Sequence, residues 1–178
     1  MNHPEKSPRH IILIGMPACG KSTVGVLAAK TLGYRFIDSD LIIQERDGRR
    51  LHRIIEEEGQ AGFLALEEAV NLTLGCDGPP TVIATGGSAV YSPAAMSHFK
   101  AVGLVVYLRL PYEAVEKRLG SFAHRGVVMP EGYTLRELYD ERCALYEAYA
   151  DVIVDEGQAD CIGDVLNTLC SRLGGEPI

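Results

Sequence analysis

A glycine-rich segment near the start of the chain constrains the fold more than any other feature. Residues Gly15–Ser22 match the pattern GxxxxGK[ST]. The apolar run His10–Ile14 comes before the segment and predicts a buried strand, while Lys21–Leu32 follows it with apolar residues at helical spacing. A strand, a glycine-rich turn and a helix in this order place backbone N–H groups at a helix N-terminus, where they can bind phosphate oxygens.

The pattern also indicates which ligands the segment binds. The Lys21 side chain can reach the β- and γ-phosphates of a nucleotide, and the Ser22 hydroxyl can ligate Mg²⁺. A glycine-rich turn that only caps a helix is the alternative, and the flanking strand and helix disfavour it. We therefore expect ATP and Mg²⁺ as cofactors. The predicted nucleotide-binding residues of this segment are Gly15, Ala18, Cys19, Gly20, Lys21, Ser22 and Thr23.

Strands alternate with helices along the rest of the chain. The predicted strands are 10–14, 35–37, 81–84, 104–108 and 152–154, and the predicted helices are 21–32, 40–47, 51–58, 60–74, 93–100, 112–119, 134–149 and 162–173. This alternation predicts a three-layer α/β fold of the P-loop NTPase type, with a five-stranded parallel sheet and helices on both faces. In such folds, ligands bind at the carboxyl ends of the strands.

Length and composition indicate one domain over residues 1–178. The chain has 178 residues, of which 47% are hydrophobic, so it is long enough to bury one core. We expect a flexible leader at 1–8 and a tail at 174–178. Residues 120–133 have weak periodicity and contain Gly and Pro, which predicts a mobile lid. No apolar run approaches the roughly 18 residues of a membrane-spanning helix, so no membrane partner is expected.

Charge and cysteine content restrict the partners and the compartment. The formal net charge of −7 argues against a broad nucleic-acid-binding face, although a small anionic ligand needs only a local positive site. The 5 cysteines form no CxxC pair, which disfavours a disulfide framework and fits a reducing cytoplasm. We expect a small-molecule substrate, no nucleic acid and a cytoplasmic location.

Polar and glycine residues follow the second and third predicted strands. Asp38 could hold Mg²⁺ beside Ser22, and Asp40 could accept a proton from a substrate hydroxyl. The two acids could instead cap the helix that follows, because Asp is among the best N-cap residues. Gly86 and Gly87 could let the backbone approach a ligand closely, or could form only a tight turn.

Taken in order, these residues resemble the shikimate kinase family, a branch of small-molecule kinases with this phosphate-binding loop. The resemblance covers nearly the whole chain and rests on Gly15–Ser22, Asp38, Ser39, Asp40, Gly59, Phe63, Glu67, Gly86, Gly87, Arg125, Arg142, Leu145 and Tyr146. It implies an ATP-dependent kinase that phosphorylates a hydroxyl of a small carboxylate-bearing metabolite in amino-acid biosynthesis. It also implies a monomer.

The resemblance implies a role for each matching residue. Lys21, Asp40 and Arg125 would be the catalytic residues, with Arg125 closing over the phosphates from the lid. Ser22 and Asp38 would hold Mg²⁺. Lys117 or Arg118 would flank the adenine. The substrate-binding positions would be Asp40, Leu64, Glu67, Gly86, Gly87 and Arg142, with Arg142 binding the substrate carboxylate and Gly87 acting through its backbone.

Three departures from the family pattern affect the substrate. Family members carry Arg directly after the Phe of a Phe-Arg-x-x-Glu motif, where it pairs with the substrate carboxylate, and this chain has Leu64 there. Ser88 replaces the last residue of the family's triple glycine. After Arg125 the chain continues with Gly126-Val127-Val128 in place of the family's Pro and Leu residues.

The loss of an arginine at position 64 leads to a hypothesis about the acceptor. With Asp40 and Glu67 retained and Arg142 the remaining cation, the pocket is one unit more negative, and a substrate ammonium would restore the balance. This favours L-homoserine as the acceptor. The alternative is that Arg50 or Arg53 replaces the missing arginine and the substrate is shikimate. A non-catalytic nucleotide-binding regulator is a more remote alternative, because a sensor does not need acceptor-binding residues.

Overall fold

The computed structural model describes residues 10–120, 127–155, 163, 166–168 and 171. Five strands are described: β1 (His10–Ile14), β2 (Arg35–Asp38), β3 (Thr81–Ala84), β4 (Leu104–Arg109) and β5 (Val152–Asp155). They form one parallel sheet in the order β2-β3-β1-β4-β5. The predicted leader, the predicted tail, Arg125 and most of the predicted closing helix lie outside the described residues.

Six helices connect the described strands: α1 (Lys21–Leu32), α2 (Ser39–Asp47), α3 (Leu51–Asn71), α4 (Pro93–Val102), α5 (Tyr112–Leu119) and α6 (Leu135–Tyr149). Every residue of β1 and β3 is buried. Since successive side chains of a strand point to opposite faces, both faces of the central sheet are covered. The predicted five-stranded parallel α/β fold is therefore confirmed.

Local sequence signals explain where the helices begin and end. Gly33 and Gly48 end α1 and α2 in the left-handed conformation. Thr134 caps α6 through a capping box with Glu137, as its spacing indicates. Gly59, with φ 70° and ψ 178°, breaks α3 where the sequence predicts two helices, although α3 ends at Asn71 and not at residue 74.

Helices α2 and α3 have a small core of their own beside the sheet. Its buried residues are Ile43, Ile54, Phe63, Val70 and Val128. Val128 belongs to the described part of the predicted lid, so this end of the lid is anchored on α2 and α3. The arrangement places the Glu67 side of α3 next to the carboxyl ends of the strands. Within the described ranges, no helix has both the length and the apolar character that a bilayer crossing requires.

Candidate active site

The glycine-rich segment forms a tight loop between β1 and α1. Gly15 has φ 148°, and a Cβ on it would lie 2.7 Å from the Leu108 carbonyl oxygen, so no larger residue fits. Gly20 precedes α1 with φ 93° and leaves the helix N-terminus without a side-chain cap. Uncapped N–H groups at a helix N-terminus attract anions, which agrees with the predicted phosphate site.

Lys21 lies back across this loop. Its ammonium Nζ donates hydrogen bonds to the carbonyl oxygens of Gly15 and Met16, both at 2.8 Å, and the side chain is 8% exposed. The amide of Cys19 is engaged inside the loop as well, donating to the Met16 carbonyl at 3.2 Å. Ser22 and Thr23 are exposed on the first turn of α1. The ammonium is thus held inside the loop by two carbonyl oxygens, with the Cys19 sulfur 3.7 Å away.

Asp38 combines the two roles that its position suggested. One carboxylate oxygen accepts the backbone N–H of Asp40 at 3.0 Å and caps α2, and the other accepts the Ser22 hydroxyl at 2.6 Å. A carboxylate and a hydroxyl side by side are oxygen ligands of the kind that Mg²⁺ prefers. These two side chains fit the ion, which would neutralise charge on the nucleotide phosphates.

Asp40 and Glu67 meet at Gly86. A Cβ on Gly86 would lie 2.1 Å from Glu67 Oε1 and 3.0 Å from Asp40 Oδ1, so this turn has to be glycine. The Gly86 amide donates to the Ser39 hydroxyl at 3.0 Å. Burial, reinforced by the charge of Asp38, raises the pKa of Asp40 to about 6. Two carboxyl groups therefore share the turn after β3.

Glu67 is enclosed, at 2% exposure. Its Oε1 has no hydrogen-bond partner among the described residues, whereas the carboxyl group accepts a hydrogen bond from Ser88. Burial raises the pKa of Glu67 to about 7, with the Ser88 hydrogen bond and the Arg142 charge opposing the rise and Asp40 adding to it. The pocket therefore gains a proton readily at this carboxyl group.

Arg142 extends from α6 toward the Gly86–Gly87 turn and is 1% exposed. Its Nε donates to the Tyr91 hydroxyl at 3.2 Å, and its Nη2 donates to the Val128 carbonyl at 2.5 Å. The guanidinium also lies 5.1 Å from the centre of the Tyr91 ring. Its Nη1 lies 3.2 Å from where a Cβ on Gly87 would be. A buried guanidinium whose Nη1 faces a glycine turn is well placed to bind a carboxylate.

A cavity of about 150 Å³ adjoins this cluster between α3 and the segment after β3. It is lined in part by Leu64, Glu67, Ser88 and Tyr91. Two of the three departures from the family pattern, Leu64 and Ser88, therefore lie at one cavity and flank one carboxyl group.

Neither Arg50 nor Arg53 takes the place of the arginine missing at position 64 in this structure. Arg53 is 62% exposed and pairs with Glu56 on the surface of α3, and Arg50 is exposed before that helix begins. The alternative that one of them replaces the family arginine is therefore not realised in this structure. The reason is helix geometry, because the break at Gly59 separates the start of α3, where Arg50 and Arg53 lie, from the turn that carries Leu64.

The predicted adenine-flanking residues lie beside the loop. Arg118 donates from Nη1 to the Ala18 carbonyl at 3.1 Å, and Lys117 is exposed next to it on α5. Sequence reasoning missed the roles of Tyr91, Ser88 and Tyr146 at the site. Tyr146 could have been found from its spacing, because it lies one helical turn after Arg142 and so shares its face of α6.

Comparison with known proteins agrees with this geometry. A family model described as shikimate kinase matches residues 17–170. A shikimate kinase of Halorhodospira halophila is 43% identical over 179 residues, which is 97% of each chain. Another, from Thiobacillus denitrificans, is 40% identical over 156 residues, 86% of this chain and 85% of the relative. The chain belongs to the shikimate kinase family.

Solved structures place the fold in the same family. A shikimate kinase from Acinetobacter baumannii, in complex with shikimate, has a TM-score of 0.83 at 30% identity, covering 96% of this chain and 95% of that one. A gluconokinase from Sinorhizobium meliloti, at 19% identity and a TM-score of 0.53, shares the fold alone. As a member of the shikimate kinase family, this chain is an ATP-dependent small-molecule kinase. Neither comparison supports a non-catalytic regulator.

Proposed function

We propose that this protein is a shikimate kinase, which transfers the γ-phosphoryl group of ATP to a hydroxyl group of shikimate. The observation that carries the proposal is the arrangement of Asp40 and Arg142 on either side of the Gly86–Gly87 turn. One side chain can accept a proton from a hydroxyl, and the other can bind a carboxylate. Relatives that are 33% to 43% identical are shikimate kinases, which supports shikimate as the hydroxy acid.

Homoserine, the acceptor favoured by the charge argument, has no support among these relatives. That argument counted Asp40 and Glu67 as two charged carboxylates against one cation, Arg142, so that a substrate ammonium was needed. In the structure Glu67 accepts a hydrogen bond from Ser88, and burial raises its pKa to about 7. A proton on Glu67 can therefore balance the pocket where an ammonium would have been needed, and a monoanionic acceptor becomes compatible with Leu64.

The transfer follows from the positions of these groups. The acceptor oxygen attacks the γ-phosphorus, the bond from that phosphorus to the oxygen of the leaving diphosphate breaks, and ADP departs with the electron pair. The hydroxyl proton passes to the Asp40 carboxylate, whose raised pKa of about 6 brings it closer to the ideal for such a base near neutral pH. Lys21 would exchange its loop carbonyl partners for phosphate oxygens and stabilise the charge of the transition state.

A coupled assay of ADP release tests the acceptor. The protein is incubated with Mg-ATP and, in separate reactions, with shikimate, L-homoserine or gluconate. We expect kcat/KM for shikimate to exceed that for each other compound by at least about tenfold, the equivalent of about 1.4 kcal/mol of selectivity. Turnover of homoserine in preference to shikimate would reject the proposal and restore the argument from charge.

A pair of variants tests the role of Arg142. Arg142→Lys keeps the charge but loses bidentate hydrogen bonding, so KM for shikimate should rise about tenfold or more while KM for ATP stays within about twofold. Arg136→Lys is the matched control, because Arg136 lies on the same helix, is 56% exposed and pairs with Asp140. Equal effects of the two substitutions would show that Arg142 does not bind the acceptor.

A further inference from the structure

Tyr146 is fully buried. It lies where the phosphate-binding loop, the Gly86–Gly87 turn and Arg142 come together. Its hydroxyl donates a hydrogen bond of 2.6 Å to the carbonyl oxygen of Gly87. It lies one turn after Arg142 on α6, and side chains four residues apart share a helix face. The same turn of helix therefore carries the guanidinium and the hydroxyl that meet the Gly86–Gly87 turn.

Gly87 in turn touches the phosphate-binding loop. A Cβ on Gly87 would lie 2.8 Å from Cδ of Pro17 and 3.2 Å from Nη1 of Arg142. The residue is thus packed between the loop that binds ATP and the side chain placed to bind the acceptor. A shift of the Gly87 backbone would therefore disturb its packing against both of these elements.

The Tyr146 side chain is rigidly placed for this contact. Its ring packs against Tyr107 of β4, with 5.1 Å between ring centres and 32° between ring planes. Burial raises the pKa of Tyr146 well above its ordinary value, so the hydroxyl remains a hydrogen-bond donor throughout the assay range. A buried donor with a fixed ring and a short bond to a backbone carbonyl leaves that carbonyl little freedom.

We propose that Tyr146 is a positioning residue, whose hydrogen bond to Gly87 sets the spacing between the phosphate-binding loop and the acceptor site. Tyr146 acts through Gly87, with no substrate contact of its own. The inference rests on the proposed kinase reaction and adds to it the means by which the two substrates are aligned. Loss of this alignment should slow the reaction strongly, because a displacement of about 1 Å can slow an enzyme about a hundredfold.

The matched pair Tyr146→Phe and Tyr139→Phe tests the proposal. Tyr139 lies on the same helix and also donates to a backbone carbonyl, that of Leu110 at 2.9 Å, but it does not bond to Gly87. Each variant loses one hydroxyl and keeps its ring. We expect Tyr146→Phe to lower kcat/KM for shikimate about tenfold or more, with kcat reduced and KM for ATP within about twofold, and Tyr139→Phe to leave these constants within about twofold.

Amide hydrogen exchange provides a second readout that needs no acceptor. Tyr146→Phe should accelerate exchange in two peptides, one covering residues 15–20 and one covering residues 85–92. Tyr139→Phe should accelerate exchange in neither peptide. Equal kinetics for the two variants, or acceleration confined to one of the two peptides, would overturn the positioning role. Failure of the unaltered protein to phosphorylate shikimate would reject the proposed acceptor only, because the exchange experiment would still decide the role of Tyr146.

Discussion

Glu67→Gln should remove the part of the pH dependence of this protein's unfolding free energy that comes from Glu67, and leave the part that comes from Asp40. Burial raises the pKa of Glu67 from its ordinary value of 4.5 to about 7, and the side chain is 2% exposed. A group whose pKa is higher in the folded state than in the unfolded state stabilises the fold most below the unfolded pKa. That contribution is lost as the pH rises through the folded pKa.

The size of the effect follows from the two pKa values. A difference of about 2.5 pH units, at about 1.4 kcal/mol per unit, corresponds to about 3 kcal/mol of unfolding free energy. Most of it should be lost between about pH 5 and pH 8. Glutamine has nearly the same shape but does not ionise, so the variant lacks this pH-dependent contribution to the free energy of unfolding. In Glu67→Gln, one polar atom of the side-chain amide would still occupy the position of Oε1, which has no hydrogen-bond partner among the described residues. A buried polar atom without a partner costs about 1–3 kcal/mol at every pH.

Urea unfolding of both proteins, from about pH 5 to pH 8, measures the effect. Over this range, the free energy of unfolding of the unaltered protein should fall by about 2.5 kcal/mol more than that of Glu67→Gln. Glu56→Gln serves as the control, because Glu56 lies on the same helix and its side chain is 59% exposed. Parallel curves for the unaltered protein and Glu67→Gln would refute the reasoning, since they would show that Glu67 does not hold its proton more tightly in the fold.

Three further substitutions or measurements test the packing of the site. Gly86→Ala should lower the free energy of unfolding by about 2 kcal/mol or more in urea titrations, because its Cβ would lie 2.1 Å from Glu67 Oε1; an unchanged midpoint would contradict this contact. Ala18→Gly should raise that free energy by up to about 1 kcal/mol, because Ala18 has φ 63°, a conformation that favours glycine. Thiol labelling under native conditions should modify Cys76, which is exposed, well before Cys19, which is buried, and the reverse order would show that the loop opens.

Local sequence signals determined most of the secondary structure. The bounds of β1, α1, β3 and α5 agree with the predictions, because each is marked by an apolar run or a helical period with glycine or proline beside it. The capping box of Thr134 and Glu137 was likewise visible, since its two residues are three positions apart. Signals of this kind act over a few residues and need no knowledge of the fold.

The phosphate-binding loop was also predictable from the sequence. Gly15 has to be glycine, because a Cβ there would clash with backbone. Lys21 and Ser22 then follow at the start of the helix, in the spacing that the motif prescribes. The placement of Ser22 beside Asp38 was expected too, because both residues lie near the carboxyl ends of strands of one parallel sheet.

The acceptor side depended on the tertiary structure. The sequence shows that Leu64 and Ser88 depart from the family pattern, but only the fold brings both to Glu67 and buries that carboxyl group. The hydrogen bond from Tyr146 to Gly87 joins residues 59 positions apart in the chain. Burial and the arrangement of neighbouring charges set the pKa of a carboxyl group, and both arise from packing between distant segments. The charge of the pocket therefore could not be obtained by counting charged residues along the chain.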